Sequence, residues 1–166
     1  MSMDHRTSLD HVLFSVDEEE YARRSLDHVR RLARWFSSFD VSSVTVDVRG
    51  TSTANESITY EDVDCEVQSE DGREEVVGAV RALAAEAAEG RLEPEDLEES
   101  DLERRLQRDT DVDLVVKTGE RRLVDSAIYS TVYSEVRFVD SWTSLDRETV
   151  ANLVEDFEET ERRYGR

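Results

Sequence analysis

The sequence predicts an α/β layer fold, with a largely parallel central sheet flanked by helices. Three observations predict it. Short apolar runs rich in valine recur at residues 11–16, 44–48, 63–67 and 112–116. Between most of them lie segments whose apolar residues repeat at three- and four-residue spacing. The runs at 11–16 and 112–116 are nearly continuous in hydrophobicity, as strands buried on both faces are. Strands alternating with helical patterns are the signature of a parallel sheet.

Taken in order, residues 11–16 deliver Asp17 to the carboxyl end of a first strand. Glu18, Glu19 and Glu20 follow. They suit a helix start, because carboxylates favour the positive end of the helix dipole, and they repel any anion placed there. Leu26, Val29, Leu32, Ala33 and Phe36 share one helical face, which predicts a single helix from this point to Phe39. Residues 44–48 read as strand two, 49–57 as a polar loop, and 58–60 with 63–67 as alternating strand material closed by Asp71 and Gly72. Residues 74–89 carry Val76, Val77, Val80, Leu83, Ala84 and Ala87 on a helical stripe, and Gly90 is placed to end that helix in a left-handed conformation. Pro94, the only proline, suits the first turn of a further helix through Leu97, Leu102 and Leu106. After the strand at 112–116, a final helix holds Val150, Leu153, Val154 and Phe157 at helical spacing. Repeats and low-complexity linkers are absent, and residues 1–166 read as one domain.

Composition bounds the function. Forty-one Asp and Glu against 21 Lys and Arg give a formal net charge of -20, with the acids spread along the whole chain. This is the pattern of a halophilic protein that keeps its surface hydrated in strong salt, where the Debye length falls to about 3 Å at 1 M and self-repulsion is suppressed. Nucleic acid is excluded as an expected partner, since phosphate backbones call for a basic surface. The single cysteine, Cys65, makes no intramolecular disulfide or CxxC metal site and reads as a small buried hydrophobe. His5, His11 and His28 form no triad or ligand spacing. No apolar run approaches the roughly 20 residues of a transmembrane helix, and a cytoplasmic location is expected.

One stretch organises the rest. The apolar run Val112, Asp113, Leu114, Val115 and Val116 breaks into Lys117, Thr118, Gly119, Glu120, Arg121 and Arg122. That reads as a buried strand ending in a cationic loop, where an open α/β sheet places an anionic ligand. Lys117 is the only lysine in the chain.

With these elements placed, several motifs in order resemble the cis-prenyltransferase family, the undecaprenyl diphosphate synthase-like enzymes that extend an allylic diphosphate with isopentenyl diphosphate. The likeness is strongest over residues 72–165. Gly72, Arg73, Glu74, Glu75, Val76 and Val77 resemble the family's Gly-Arg-x-Glu-Ile-Val opening. The organising stretch resembles Asp-Leu-Leu-Ile-Arg-Thr-Gly-Gly-Glu-x-Arg, and residues 128–135 resemble the Leu-Trp-Gln-x-x-Tyr-x-Glu that follows. Arg162, Arg163, Tyr164 and Gly165 are similar to the terminal Arg-Arg-Phe-Gly. Residues 11–17 resemble the His-Ile-Ala-x-Ile-Met-Asp that opens the family's phosphate loop.

The departures bear on activity. Where the family has Asp-Gly-Asn-Gly-Arg-Trp, this chain has Asp17, three glutamates and Tyr21. Glycines let backbone amides approach a diphosphate and arginine neutralises it; glutamates do neither. At an effective dielectric near 20, one like charge about 4 Å away costs about 4 kcal/mol. The helical segment that forms the family's product tunnel is missing around 49–71, one residue of Thr-Gly-Gly-Glu is missing, and Val124 replaces a phosphate-binding serine. Lys117 replaces an arginine and keeps the charge without the bidentate geometry.

The resemblance implies residue roles, and each has a plainer alternative. Asp17 matches the catalytic aspartate that holds Mg2+ on the diphosphate; by position it is also a helix N-cap. Lys117 and Arg122 match isopentenyl diphosphate contacts; they also suit pairing with surface carboxylates. Glu135 matches a magnesium-binding glutamate and is otherwise one of many acids. Arg163 and Gly165 match the Arg-x-Gly that reaches a partner's isopentenyl diphosphate site in the family's dimers; the alternative is a frayed helix end. The expected function is a non-catalytic accessory subunit of a polyprenyl diphosphate synthase, lending that motif to a larger catalytic subunit. The alternatives are a minimal active prenyltransferase using Mg2+ and a homodimeric scaffold or binding protein.

Overall fold

The computed structural model describes residues 9–50, 55–69, 72–106, 111–120 and 134–164, the last four of these by backbone alone. Among the described residues six strands make one sheet in the order β3-β4-β2-β1-β5-β6. They are β1 (His11–Asp17), β2 (Ser43–Arg49), β3 (Glu56–Tyr60), β4 (Val63–Gln68), β5 (Leu114–Thr118) and β6 (Glu135–Val139). Every pairing is parallel except β3 with β4. That exception is a hairpin: Tyr60 faces Val63, and Glu61 and Asp62 both take positive φ (48° and 65°), the two-residue turn whose twist suits the flanking strands. The predicted α/β class and parallel sheet are the observed ones.

Alternation along the strands sorts their side chains onto two faces. Val12, Phe14 and Val16 of β1, Val44, Val46 and Val48 of β2, and Leu114 and Val116 of β5 join the main core. The helix α2 (Leu26–Ser37) lays Val29, Leu32, Ala33 and Phe36 on them, and α5 (Arg147–Tyr164) adds Val150, Leu153, Val154 and Phe157. Each such burial, Ala33 aside, stabilises by about 1.5–3 kcal/mol before entropic losses. Trp142, in a short 3-10 turn, is fully buried and meets Phe14 edge-on at 5.8 Å. On the opposite face, Leu13, Val112 and Val115 form a small apolar cluster. The other buried side chains of that face are polar: His11, Ser15, Thr45, Asp47, Gln68 and Lys117.

Several expected elements differ. The helix expected to run unbroken to Phe39 is two, α1 (Glu18–Arg23) and α2, parted at Arg24 and Ser25 because the apolar face begins only at Leu26. α2 ends with Asp40 at φ 60°, Asp40 N–H donating to the Ser37 carbonyl and Val41 N–H to the Phe36 carbonyl, a Schellman stop. Gly90 closes α3 (Gly72–Ala88) as predicted, at φ 69°, with Arg91 N–H on the Glu86 carbonyl. The stripe on α3 is mostly not buried: only Gly72, Ala79 and Leu83 are, while Val77 and Val80 are 46% and 51% exposed. The helix expected after Pro94 is a 3-10 turn (Pro94–Asp96) and the five-residue α4 (Glu99–Glu103). β6 has no counterpart in the sequence reading, because five residues that alternate weakly are masked by the charged Glu135 and Arg137. Between β2 and α3, the described residues are the β3-β4 hairpin.

Candidate functional site

The chain runs outward from β1 through β2 to β4 and then returns to place β5 on β1's other side. The carboxyl ends of β1 and β5 therefore flank a topological switch point, the crevice where open α/β sheets bind ligands. Asp17 ends β1, and Lys117 and Thr118 end β5. Gly119 follows at φ 77°, close enough that an added Cβ would lie 3.9 Å from Asp17 Oδ2. Asp17 and Lys117, two of the residues singled out in the sequence, are brought together here.

Arg49 and Asp47 are the residues that sequence reasoning missed. Register pairs Asp17 with Arg49 and places Asp47, Ser15 and Lys117 in one row across β2, β1 and β5. Period two puts all five on the face opposite the main core. The signal is present in strand two, where Thr45, Asp47 and Arg49 alternate with valines, but the polar run from Arg49 onward reads as a loop. Arg49 donates to Asp17 Oδ1 at 2.7 Å, and its Nε is buried without a partner. Asp17 occupies the N-cap position of α1, yet its side chain caps nothing; it holds Arg49 instead.

Lys117 is 1% exposed, not part of a solvated loop, and its Nζ donates to the Thr118 carbonyl at 2.7 Å. Desolvation and then the charge of Arg49 push its pKa down, while Asp17, Glu120 and Glu20 push it back up. One buried cation thus sits among Arg49 and three carboxylates. Glu20 is itself committed, accepting from the Trp142 backbone N–H at 2.9 Å. Glu18 lies beside Gly50, which ends the β2 side of the crevice.

Glu135 is elsewhere. It opens β6, paired with Leu114, which in turn pairs with Val12. Asp17 is five positions further along, so the two residues' backbones stand about 16 Å apart along the strands and about 10 Å across them. Within one chain they do not meet at one ion. Glu135 instead holds Arg137 at 2.7 Å. Arg163 lies in the last turn of α5, where only the backbone is described; Arg122, Val124, residues 128–133, Gly165 and His5 lie outside the described residues.

Magnesium prefers one or two carboxylates with several waters and substrate oxygens. Asp17 offers one carboxylate, with one oxygen already on Arg49. Among the described residues no group of three His, Cys, Asp or Glu could hold a metal ion. These residues alone do not fit a magnesium centre. His11 bonds Thr45 Oγ1 at 2.9 Å, His28 bonds the Trp142 carbonyl at 2.9 Å, and both are buried structural groups. Cys65 is buried in β4, where desolvation raises its thiol to about 11 and leaves it unreactive. Among the described residues no helix is long and apolar enough to cross a membrane.

Comparison with known proteins covers Lys117, Glu135 and Arg163 but not Asp17 or Arg49. Residues 67–165 match the family model described as "Putative undecaprenyl diphosphate synthase". The chain is 40% identical over 98 residues to a decaprenyl diphosphate synthase of Mycobacterium leprae, covering 57% of this chain and 33% of the relative. It is 34% identical over 99 residues to a tritrans,polycis-undecaprenyl-diphosphate synthase (geranylgeranyl-diphosphate specific) of Thermococcus kodakarensis, covering 57% of this chain and 38% of the relative. The chain thus aligns with well under half the length of these relatives. In structure it resembles lavandulyl diphosphate synthase from Lavandula x intermedia (TM-score 0.72, 14% identity, covering 92% of this chain and 96% of that one). It also resembles a "probable undecaprenyl diphosphate synthase" of Campylobacter jejuni (TM-score 0.67, 18% identity, covering 96% and 99%). At these identities the structural likeness concerns the fold alone.

Proposed function

The chain belongs to the undecaprenyl diphosphate synthase family of cis-prenyltransferases, and from that premise we propose that it is a non-catalytic accessory subunit of a polyprenyl diphosphate synthase. The observation that carries this reading is the Asp17–Arg49 ion pair at the switch point. In a diphosphate site the carboxylate would face a metal and the cation would face phosphate. Here Arg49 donates to Asp17 instead, and Glu18 to Glu20 follow at once in α1. A diphosphate entering the crevice would have to displace Asp17 from Arg49 and lie against those glutamates, at about 4 kcal/mol for each close like charge. Lys117 cannot offset this, because it is buried and spent on the Thr118 carbonyl.

What such a subunit would contribute is its C-terminal Arg163, Tyr164 and Gly165, reaching the isopentenyl diphosphate pocket of a larger catalytic partner. Magnesium would then belong to the partner's centre. The test has two arms. The isolated chain, given radiolabelled isopentenyl diphosphate with a panel of allylic primers and Mg2+, is expected to give no product; turnover would make it a minimal enzyme and sink the proposal. Affinity purification in high-salt buffer is expected to bring down a larger cis-prenyltransferase whose activity falls at least tenfold with Arg163→Ala. A stable homodimer with no such partner favours a scaffold.

A further inference from the structure

The outer strand β6 sorts its side chains by period two. Its register pairs Glu135 with Leu114 and Arg137 with Val116, both in the main core. Glu135, Arg137 and Val139 therefore face the side on which α5 packs, while Val136 joins the small cluster on the other face. Val139 follows the apolar rule for such a position. Arg137 breaks it, placing a part-buried guanidinium at the margin of the core.

That guanidinium meets three partners. Its Nη2 donates to Glu135 Oε2 at 2.7 Å and to Thr160 Oγ1 at 3.1 Å, and its Nη1 donates to the Val136 carbonyl at 3.2 Å. Glu135 and the Val136 carbonyl belong to β6, so the sheet edge sets the plane of the rigid fork. Thr160 belongs to α5 and is itself held, its hydroxyl donating to the Asp156 carbonyl at 2.9 Å. With its proton committed there, the Thr160 oxygen is an acceptor for Arg137. The result is a polar strut from the edge of the sheet to one side chain of the helix.

Its position on α5 gives it a role. The apolar seam of Val150, Leu153, Val154 and Phe157 ends at Phe157, and the described side chains beyond it are Glu158, Glu159 and Thr160. None of those three is an apolar anchor. Arg163 follows three positions after Thr160. A helix end that leaves the core without such a tie frays, because its last carbonyls have no partner within the helix. A segment held in its docking direction loses less entropy when it binds.

We infer that Arg137 is the positioning residue of the C-terminal motif, fixing through Thr160 the direction in which the chain from Arg163 onward is presented. Glu135, which the family resemblance makes a metal ligand, here orients Arg137. The functional consequence rests on the accessory-subunit reading, whereas the strut itself does not.

The test measures amide exchange in the 15N-labelled full chain and, separately, turnover by the co-purified complex. Arg137→Gln removes the charged fork; Thr160→Val keeps the side-chain shape without the acceptor. Each should speed exchange at residues 159–164 about tenfold and leave the amides of β1, β2 and β5 unchanged. Arg91→Ala, a remote exposed arginine, should alter none of them, and urea unfolding checks that every variant folds cooperatively. In the complex, Arg137→Gln should raise the KM for isopentenyl diphosphate more than it lowers kcat. In an Arg163→Ala background the same substitution should add nothing further, since both act through one group. Unchanged exchange at the helix end, faster exchange spread through the sheet, or a full Arg137→Gln effect in the Arg163→Ala background would each overturn the inference. If Arg163→Ala alone leaves the partner's turnover unaltered, the accessory-subunit reading fails, and the exchange arm still decides whether Arg137 holds the helix end.

Discussion

Asp17 and Arg49 end the two central strands at the same register position, and the Arg49 guanidinium donates to Asp17 Oδ1 at 2.7 Å across the switch point. The Asp17 side chain is 51% exposed and that of Arg49 27%, so solvent screens the pair. Arg49→Ala should cost about 1 kcal/mol by urea unfolding in dilute buffer. In 1 M salt the difference should shrink, since screening weakens the pair in the wild type only. A cost that grows with salt would show that Arg49 contributes something other than this ion pair.

Lys117 is enclosed beside that pair, and its charge is held at the expense of its hydration. Lys117→Met, similar in length and apolar, should stay within about 1 kcal/mol of wild type, because removing a desolvated charge offsets the lost bond to the Thr118 carbonyl. Lys117→Glu would add a buried anion beside Asp17, Glu20 and Glu120 and should destabilise by about 3–5 kcal/mol. Thermal unfolding of the two variants separates charge from volume: equal losses would mean that packing alone decides.

His28 makes a pH prediction. Burial is the main cause that lowers its pKa below the ordinary 6.5, Arg24 and Arg31 add to it, and the bond to the Trp142 carbonyl opposes them. The unfolded chain therefore takes the proton first as pH falls. The stability contribution is fully present above 6.5 and is lost as pH drops through the folded value. His28→Gln should flatten this part of the stability curve between about pH 7 and 5, against a wild type that weakens over the same range. An unaltered slope in urea titrations at several pH values would assign the weakening to the carboxylates instead.

Two glycines should respond in opposite senses to the same substitution. Gly78 sits mid-helix in α3 with open space where a Cβ would be, so Gly78→Ala should stabilise by about 0.5–1 kcal/mol. Gly90 also has open space but holds φ at 69°, so Gly90→Ala should cost about 1 kcal/mol. Denaturant midpoints for the pair test this directly; a shared sign would contradict the left-handed stop.

Legible along the chain were the α/β class, the strands β1 to β5, the left-handed end of α3 and the kinship of residues 72–165. These are local or ordered signals: valine-rich runs, one glycine after a helix, and motifs in a row. Asp17 and Lys117 were legible as candidates because each stands at the end of an apolar run. What surrounds them follows from strand order and register. Arg49 reaches Asp17 because two strands 32 residues apart share a register. Lys117 is enclosed because period two turns it onto the polar face of a sheet. Glu135 is carried to the sheet's other end by the start of β6. Pattern along a chain reports which face a residue prefers; which charges meet on that face depends on strand order and register, set by the packing of the whole core.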